Sequence, residues 1–169
     1  MSMKKIQRYC FSLLLLFSSL ALAGEDYSVK VLAKKPLPRD LFIQGLEFDA
    51  KSLLISTGLY SRSRLLRMEF SEGKIVRELR LDPRIFAEGL TLLDGRIYQL
   101  TWRNRLLFVY DSRSFKEQQR WTIPGEGWGL TNNGSELIYS DGSDKLHFLK
   151  PDSGQRIRSI QVKDCLLYT

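Results

Sequence analysis

Gln44-Gly45-Leu46-Glu47-Phe48, Glu88-Gly89-Leu90-Thr91-Leu92 and Glu126-Gly127-Trp128-Gly129-Leu130 are three versions of one device, each followed by apolar runs broken by turn residues. From Gln44 to Glu88 is 44 residues and from Glu88 to Glu126 is 38. That period matches one four-stranded propeller blade and no helical solenoid. Laid under one another, the units share a second apolar run at Ser52–Thr57, Arg96–Trp102 and Glu136–Ser140, and a third at Leu65–Phe70, Leu106–Tyr110 and Lys145–Leu149. A fourth follows at Lys74–Leu81, Glu117–Ile123 and Gln155–Val162. Runs of this length, rich in Ile, Leu, Val, Tyr and Phe, read as strands. Asp94-Gly95, Asn132-Asn133-Gly134, Ser71-Glu72-Gly73 and Asp152-Ser153-Gly154 fall between them, and these residue types tolerate the positive φ of tight hairpins. No window combines a helical period with a cap and a stop. The fold class is therefore all-β, a β-propeller of four-stranded blades with about three blades in this chain.

The first 23 residues have another logic. Lys4, Lys5 and Arg8 precede an apolar stretch from Phe11 to Leu22, and Ala21-Leu22-Ala23 supplies the small-x-small pattern cut by signal peptidase. The run is shorter than the ~20 apolar residues that span a bilayer and is interrupted by Ser18 and Ser19, so cleavage before Gly24 is expected rather than a stable membrane anchor. The expected location is exported, periplasmic or extracellular. Residues 24–162 then form the propeller domain, and 163–169 an off-pattern tail.

The formal charge of +7 falls to +4 once the three basic signal residues are gone. Lys and Arg are scattered over strand exteriors and turns, so nucleic acid is not an expected partner. Of the two cysteines, Cys10 lies in the signal, leaving Cys165 alone and no internal disulfide possible in the mature chain. The single histidine, His147, sits among Leu146, Phe148 and Leu149 and reads as structural. One His cannot build a His-rich metal centre, so no metal and no cofactor are expected.

In a propeller the innermost strands line a central channel, so equivalent polar residues of successive blades face a shared pocket. Gln44, Glu88 and Glu126 are assigned that position, with Trp102 and Trp128 near in sequence. A carboxylate among aromatic walls has its pKa raised by burial and can move a proton near neutral pH. The structural alternative is that Glu and Gly recur because blade turns need them, and that the Trp side chains fill the inter-blade core. The pattern alone leaves both open.

Phe42-Ile43-Gln44-Gly45-Leu46-Glu47-Phe48, Ser56-Thr57-Gly58-Leu59-Tyr60-Ser61-Arg62-Ser63, Leu81 to Leu90, Tyr98 to Trp102 and Pro124 to Leu130 closely resemble the glutaminyl cyclase (glutamine cyclotransferase) family of plants and bacteria, in order, from about Val31 to Val162. The resemblance implies an exported five-bladed propeller that converts N-terminal glutamine of peptides or proteins to pyroglutamate and releases ammonia without a catalytic metal. It implies Glu88 as catalytic acid/base, Gln44 as a substrate-binding amide, Phe42 and Phe86 as apolar wall, Trp102 and Trp128 as the aromatic enclosure, and Glu126 at the rim near the α-amine. A full-length member is expected to be a monomer. Family segments beyond the position of Val162, which carry further substrate contacts, have no match here. A C-terminally truncated propeller with two open blade faces is the expectation, and a non-catalytic binding module or an inactive product remains open beside the enzyme. If the signal reading holds, N-terminal sequencing of the exported protein finds a chain beginning near Gly24; an intact Met1 on that product overturns it.

Overall fold

The computed structural model describes residues 28–32 and 34–163. The signal segment, the site before Gly24, Cys10, Cys165 and all of the tail except Lys163 lie outside the described residues. By contacts the chain divides into a unit ending at Lys35 and a second, Pro36–Thr169, which holds every described strand.

That second unit is three four-stranded antiparallel sheets, with no helix among the described residues. Blade one is β1 (Ile43–Asp49), β2 (Ser52–Thr57), β3 (Arg64–Glu69) and β4 (Lys74–Arg80). Blade two is β5 (Ala87–Leu93), β6 (Arg96–Thr101), β7 (Leu106–Asp111) and β8 (Glu117–Thr122). Blade three is β9 (Leu130–Asn132), β10 (Leu137–Ser140), β11 (Lys145–Leu149) and β12 (Arg156–Gln161). In each sheet the strands lie in sequence order, and the first strands adjoin, β1 beside β5 and β5 beside β9. This is propeller architecture. The Asp94-Gly95 turn between β5 and β6 has φ of 50° and 73°, the positive values a two-residue hairpin requires.

The cores lie between blades. Leu54 and Leu65 of blade one meet Leu90, Ile97, Phe108 and Tyr110 of blade two. Leu93, Tyr98, Leu100, Leu107 and Val109 of blade two meet Leu137, Tyr139 and Leu149 of blade three. The other face of blade one buries Leu53, Ile55, Leu66 and Met68, with Leu37 and Leu41 packed against it. Leu37 and Leu41 cover only part of that face: Leu46 and Phe48, opposite Ile55 and Leu53 in the ladder, stay 50% and 57% exposed. Blade three leaves Ile157, Ile160 and Val162 exposed.

Polar clamps bridge the same joints. The Glu47 carboxylate accepts from Thr91 Oγ1 at 2.7 Å and from the Leu92 amide at 3.0 Å. Asn132 Nδ2 donates to Thr91 Oγ1 at 2.7 Å and to the Leu92 carbonyl at 3.1 Å. Arg67 is not a solvated exterior charge as its pattern suggests: it donates to Asp49 at 2.6 Å and to the Ser112 carbonyl of blade two at 2.9 Å. Blade spacing is thus held by hydrogen bonds as well as by apolar packing.

The recurring glycines serve contact rather than turns. A Cβ built on Gly45 would stand 2.7 Å from the Leu90 nitrogen, and one on Gly89 would stand 2.5 Å from the Leu130 nitrogen and 2.6 Å from the Trp128 carbonyl oxygen. Neither glycine has a positive φ. The obstacle in each case is neighbouring backbone, which cannot rotate away, so Gly89→Ala is expected to cost about 1–3 kcal/mol through overpacking. Urea unfolding followed by circular dichroism measures this, and an unchanged midpoint contradicts the close-approach reading.

Candidate active site

The blade contacts also correct the register of the repeat. Gly45 packs on Gly89 and Leu90, and Gly89 packs on Gly129 and Leu130 while its amide donates to the Trp128 carbonyl at 2.8 Å. The equivalent triplets are therefore Gln44-Gly45-Leu46, Glu88-Gly89-Leu90 and Trp128-Gly129-Leu130. Glu126 does not occupy the position of Gln44 and Glu88; Trp128 does, and Glu126 lies two residues earlier. The Glu126-Gly127 dipeptide imitates the repeat head, but Gly127 packs on Leu100 and Thr101 of β6, whereas the contact with Gly89 that defines the head falls on Gly129.

The head residues of blades one and two sit where the ladder is broken. In blade one the pairing runs Ile43 with Thr57 and then Gly45 with Ser56, which leaves Gln44 as the extra residue of a bulge. In blade two it passes from Ala87 with Thr101 to Leu90 with Gln99, skipping Glu88 and Gly89. Bulges re-aim side chains, and both of these side chains enter one cavity at the axis end of the blades.

That cavity, about 350 Å³, is lined by Phe42, Gln44, Phe86, Glu88, Trp102 and Trp128. Six of the seven residues singled out in the sequence thus meet in one place, and the seventh, Glu126, touches two of them. Glu126 Oε2 accepts from Trp102 Nε1 at 2.7 Å and from Trp128 Nε1 at 3.1 Å. One carboxylate oxygen holds both indoles. Phe86 is packed edge-on against Phe42, Tyr60 and Trp102, with centroids 6.2, 5.6 and 5.5 Å away. Its ring lies on the backbone of Gly58, where a Cβ would fall 2.4 Å from Cε1, and the Trp128 ring lies similarly on Gly142. Tyr60 and Gly58 belong to the Ser56–Ser63 motif already quoted, so a signal for both existed; Gly142 had none.

Electrostatically the cavity opposes its own acid. Glu88 is half-buried, and loss of water around its carboxyl raises its pKa from the ordinary 4.5 to about 7. The negative charge of Glu126 pushes the same way, while a 3.2 Å hydrogen bond from Gln44 Nε2 partly offsets both. Near neutral pH the group is therefore poised between acid and base. His147 lies outside the cavity lining, its ring nitrogens 2.8 Å from Ser159 Oγ and 2.8 Å from Asp141 Oδ2, as a cross-strand clamp of blade three. A larger groove of about 450 Å³ runs along the outer rim from Leu79 to Arg120, but Arg80, Arg84 and Arg120 there are already paired with Glu78, Asp82 and Glu117.

Residues 10–166 match the family described as Glutamine cyclotransferase. The chain belongs to that family. It is 34% identical over 143 residues to a glutaminyl-peptide cyclotransferase of Arabidopsis thaliana, a match covering 80% of this chain and 43% of that protein. Among solved structures it is similar to the glutaminyl cyclase of Myxococcus xanthus, with a TM-score of 0.69 and 34% identity over 76% of this chain and 54% of that one. The WD40 domain of Neurospora crassa Pan2, at 13% identity, TM-score 0.59, and 70% and 36% coverage, shares the fold alone. The chain thus spans about half the length of these cyclases.

A raised folded-state pKa has a sign that can be checked. Between about pH 4.5 and 7 the folded chain keeps a proton on Glu88 that the unfolded chain has released, so this group's contribution to stability is full below that window and is lost as pH rises through about 7. Carboxyl-carbon NMR should show Glu88 titrating near 7. Its midpoint should fall in Glu126→Gln, which removes a like charge, and rise in Gln44→Leu, which removes the offsetting hydrogen bond. A Glu88 midpoint near 4.5 in the parent refutes the poised state.

Proposed function

We propose that the cavity receives the N-terminal glutamine of a peptide or protein and that Glu88 moves the protons in its cyclisation to pyroglutamate with release of ammonia. The observation that carries this reading is the half-buried Glu88 carboxyl, raised to about 7 and bonded to Gln44 inside an aromatic cup. The Glu88 carboxylate takes a proton from the substrate's α-ammonium, and the freed amine attacks its own γ-carboxamide carbon. The new C–N bond gives a tetrahedral adduct. Glu88 returns the proton to the departing amide nitrogen and the C–NH₂ bond breaks, after which the regenerated Glu88 carboxylate takes the surplus proton from the ring nitrogen and passes it to the released ammonia. The products are the five-membered lactam and ammonium.

Because attack is intramolecular, the protein's tasks are to hold the side chain folded back and to transfer protons. Phe42, Phe86, Trp102 and Trp128 would supply the walls that favour the compact conformer and exclude water, and Gln44 would bond the substrate. A cavity of about 350 Å³ suits one amino-acid side chain, at the low end of ligand sites. In this reading every proton moves through Glu88 and no step calls for a metal. We place the mature protein outside the cytosol, in the periplasm or beyond the cell, on the strength of its N-terminal pattern.

Glu88→Gln keeps the side chain's size and hydrogen bonding but cannot carry a proton, so it should lower ammonia release from a Gln-initiated peptide by at least about a hundredfold with an unchanged circular dichroism spectrum. Trp128→Ala should act mainly on binding, raising KM by about two- to tenfold through loss of the aromatic wall. Chelators should leave the rate unchanged. Turnover of Glu88→Gln near the parent rate removes Glu88 from the mechanism, and inhibition by chelation ends the metal-free reading.

A further inference from the structure

Arg103 follows the pocket residue Trp102 directly, yet its side chain is not part of the cavity lining. Its guanidinium lies 4.0 Å over the Trp102 ring and 3.7 Å from Glu126 Oε1, with 67% of the side chain exposed. The distance to Glu126 is too long for a hydrogen bond. An arginine stacked this way is fixed by its flat face; Nε is the nitrogen nearest Glu126, and the two terminal amino groups of this two-thirds exposed side chain are left to take up a carboxylate bidentately. The Glu126 oxygen that could compete is the one not used by the indoles, and it engages Arg103 only by charge.

A peptide whose N-terminal side chain fills the cavity must carry its remaining residues out over the rim that Trp102, Glu126 and the half-exposed Trp128 form. We propose that Arg103 is a specificity-determining residue at that rim, favouring substrates whose second or third residue is Asp or Glu. This rests on the cyclase reading of the cavity. The contact is solvent-exposed, so its effect is modest, about a two- to fivefold preference, and it weakens as salt screens it.

The full 169-residue chain is titrated calorimetrically at low and at high salt with two peptides that differ only after the leading glutamine, Gln-Glu-Ala-Ala and Gln-Ala-Ala-Ala, and ammonia release is measured on the same pair. The expected result is tighter binding of the acidic peptide by about two- to fivefold at low salt, with the ratio falling toward one at high salt. In Arg103→Met, which keeps the apolar stem on Trp102, the ratio should collapse to about one, and in Arg103→Lys it should persist in part. Equal binding of both peptides by the parent, or an undiminished ratio in Arg103→Met, overturns the inference. Binding of neither peptide overturns it together with the cavity assignment. Binding with the expected ratio but no ammonia from either peptide supports Arg103 while refuting the catalytic reading.

Discussion

The approach of backbone to backbone at the propeller axis is the constraint from which the rest follows. At Gly45 and Gly89 the first strand of one blade comes so near the next that a single methyl group would collide with main-chain atoms. Such packing leaves no lateral freedom for the neighbouring residue, and in both blades the ladder yields there by a bulge. Gln44 and Glu88 are delivered into the cavity by that yielding. The clamps through Glu47, Thr91, Asn132 and Arg67 then hold the blades at the spacing the glycines permit.

The cavity itself is a controlled electrostatic conflict. Four aromatic side chains withhold water from Glu88, and the nearby Glu126 adds a like charge, so the proton is held more tightly than in an ordinary carboxyl. Gln44 limits the effect from the other side. Glu126 is held by its donors: two indole N–H groups share one oxygen, and Arg103 faces the other. One acid therefore holds its proton up to near neutral pH and the other braces the walls, although both belong to Glu-Gly dipeptides in the sequence.

That pair also marks the limit of what the chain discloses as text. The strands were legible because apolar runs of five to eight residues alternate with Asn, Asp and Gly turns, and β2 and β11 run as read, Ser52–Thr57 and Lys145–Leu149. The residues around the cavity were legible because several short motifs recur in a fixed order. The third repeat head was misread by two residues, since a Glu-Gly dipeptide in the expected place outweighed Gly129, whose role exists only in its contact with Gly89. The glycines looked like turn residues because a sequence does not show how close another strand comes. Arg67 looked like a surface charge because its partners Asp49 and Ser112 are 18 and 45 residues away.

With the register corrected, three successive blades present an amide, an acid and an indole at one structural position: Gln44, Glu88 and Trp128. In the first two blades the bulge takes that residue out of the hydrogen-bonded ladder, so its identity bears little on whether the sheet forms. Descent by duplication of a blade would therefore leave this site open to drift while the adjoining glycine stayed fixed. Cavity chemistry and blade packing thus rest on different residues, side by side, and a new lining could be written into such a ring by changing one letter per blade.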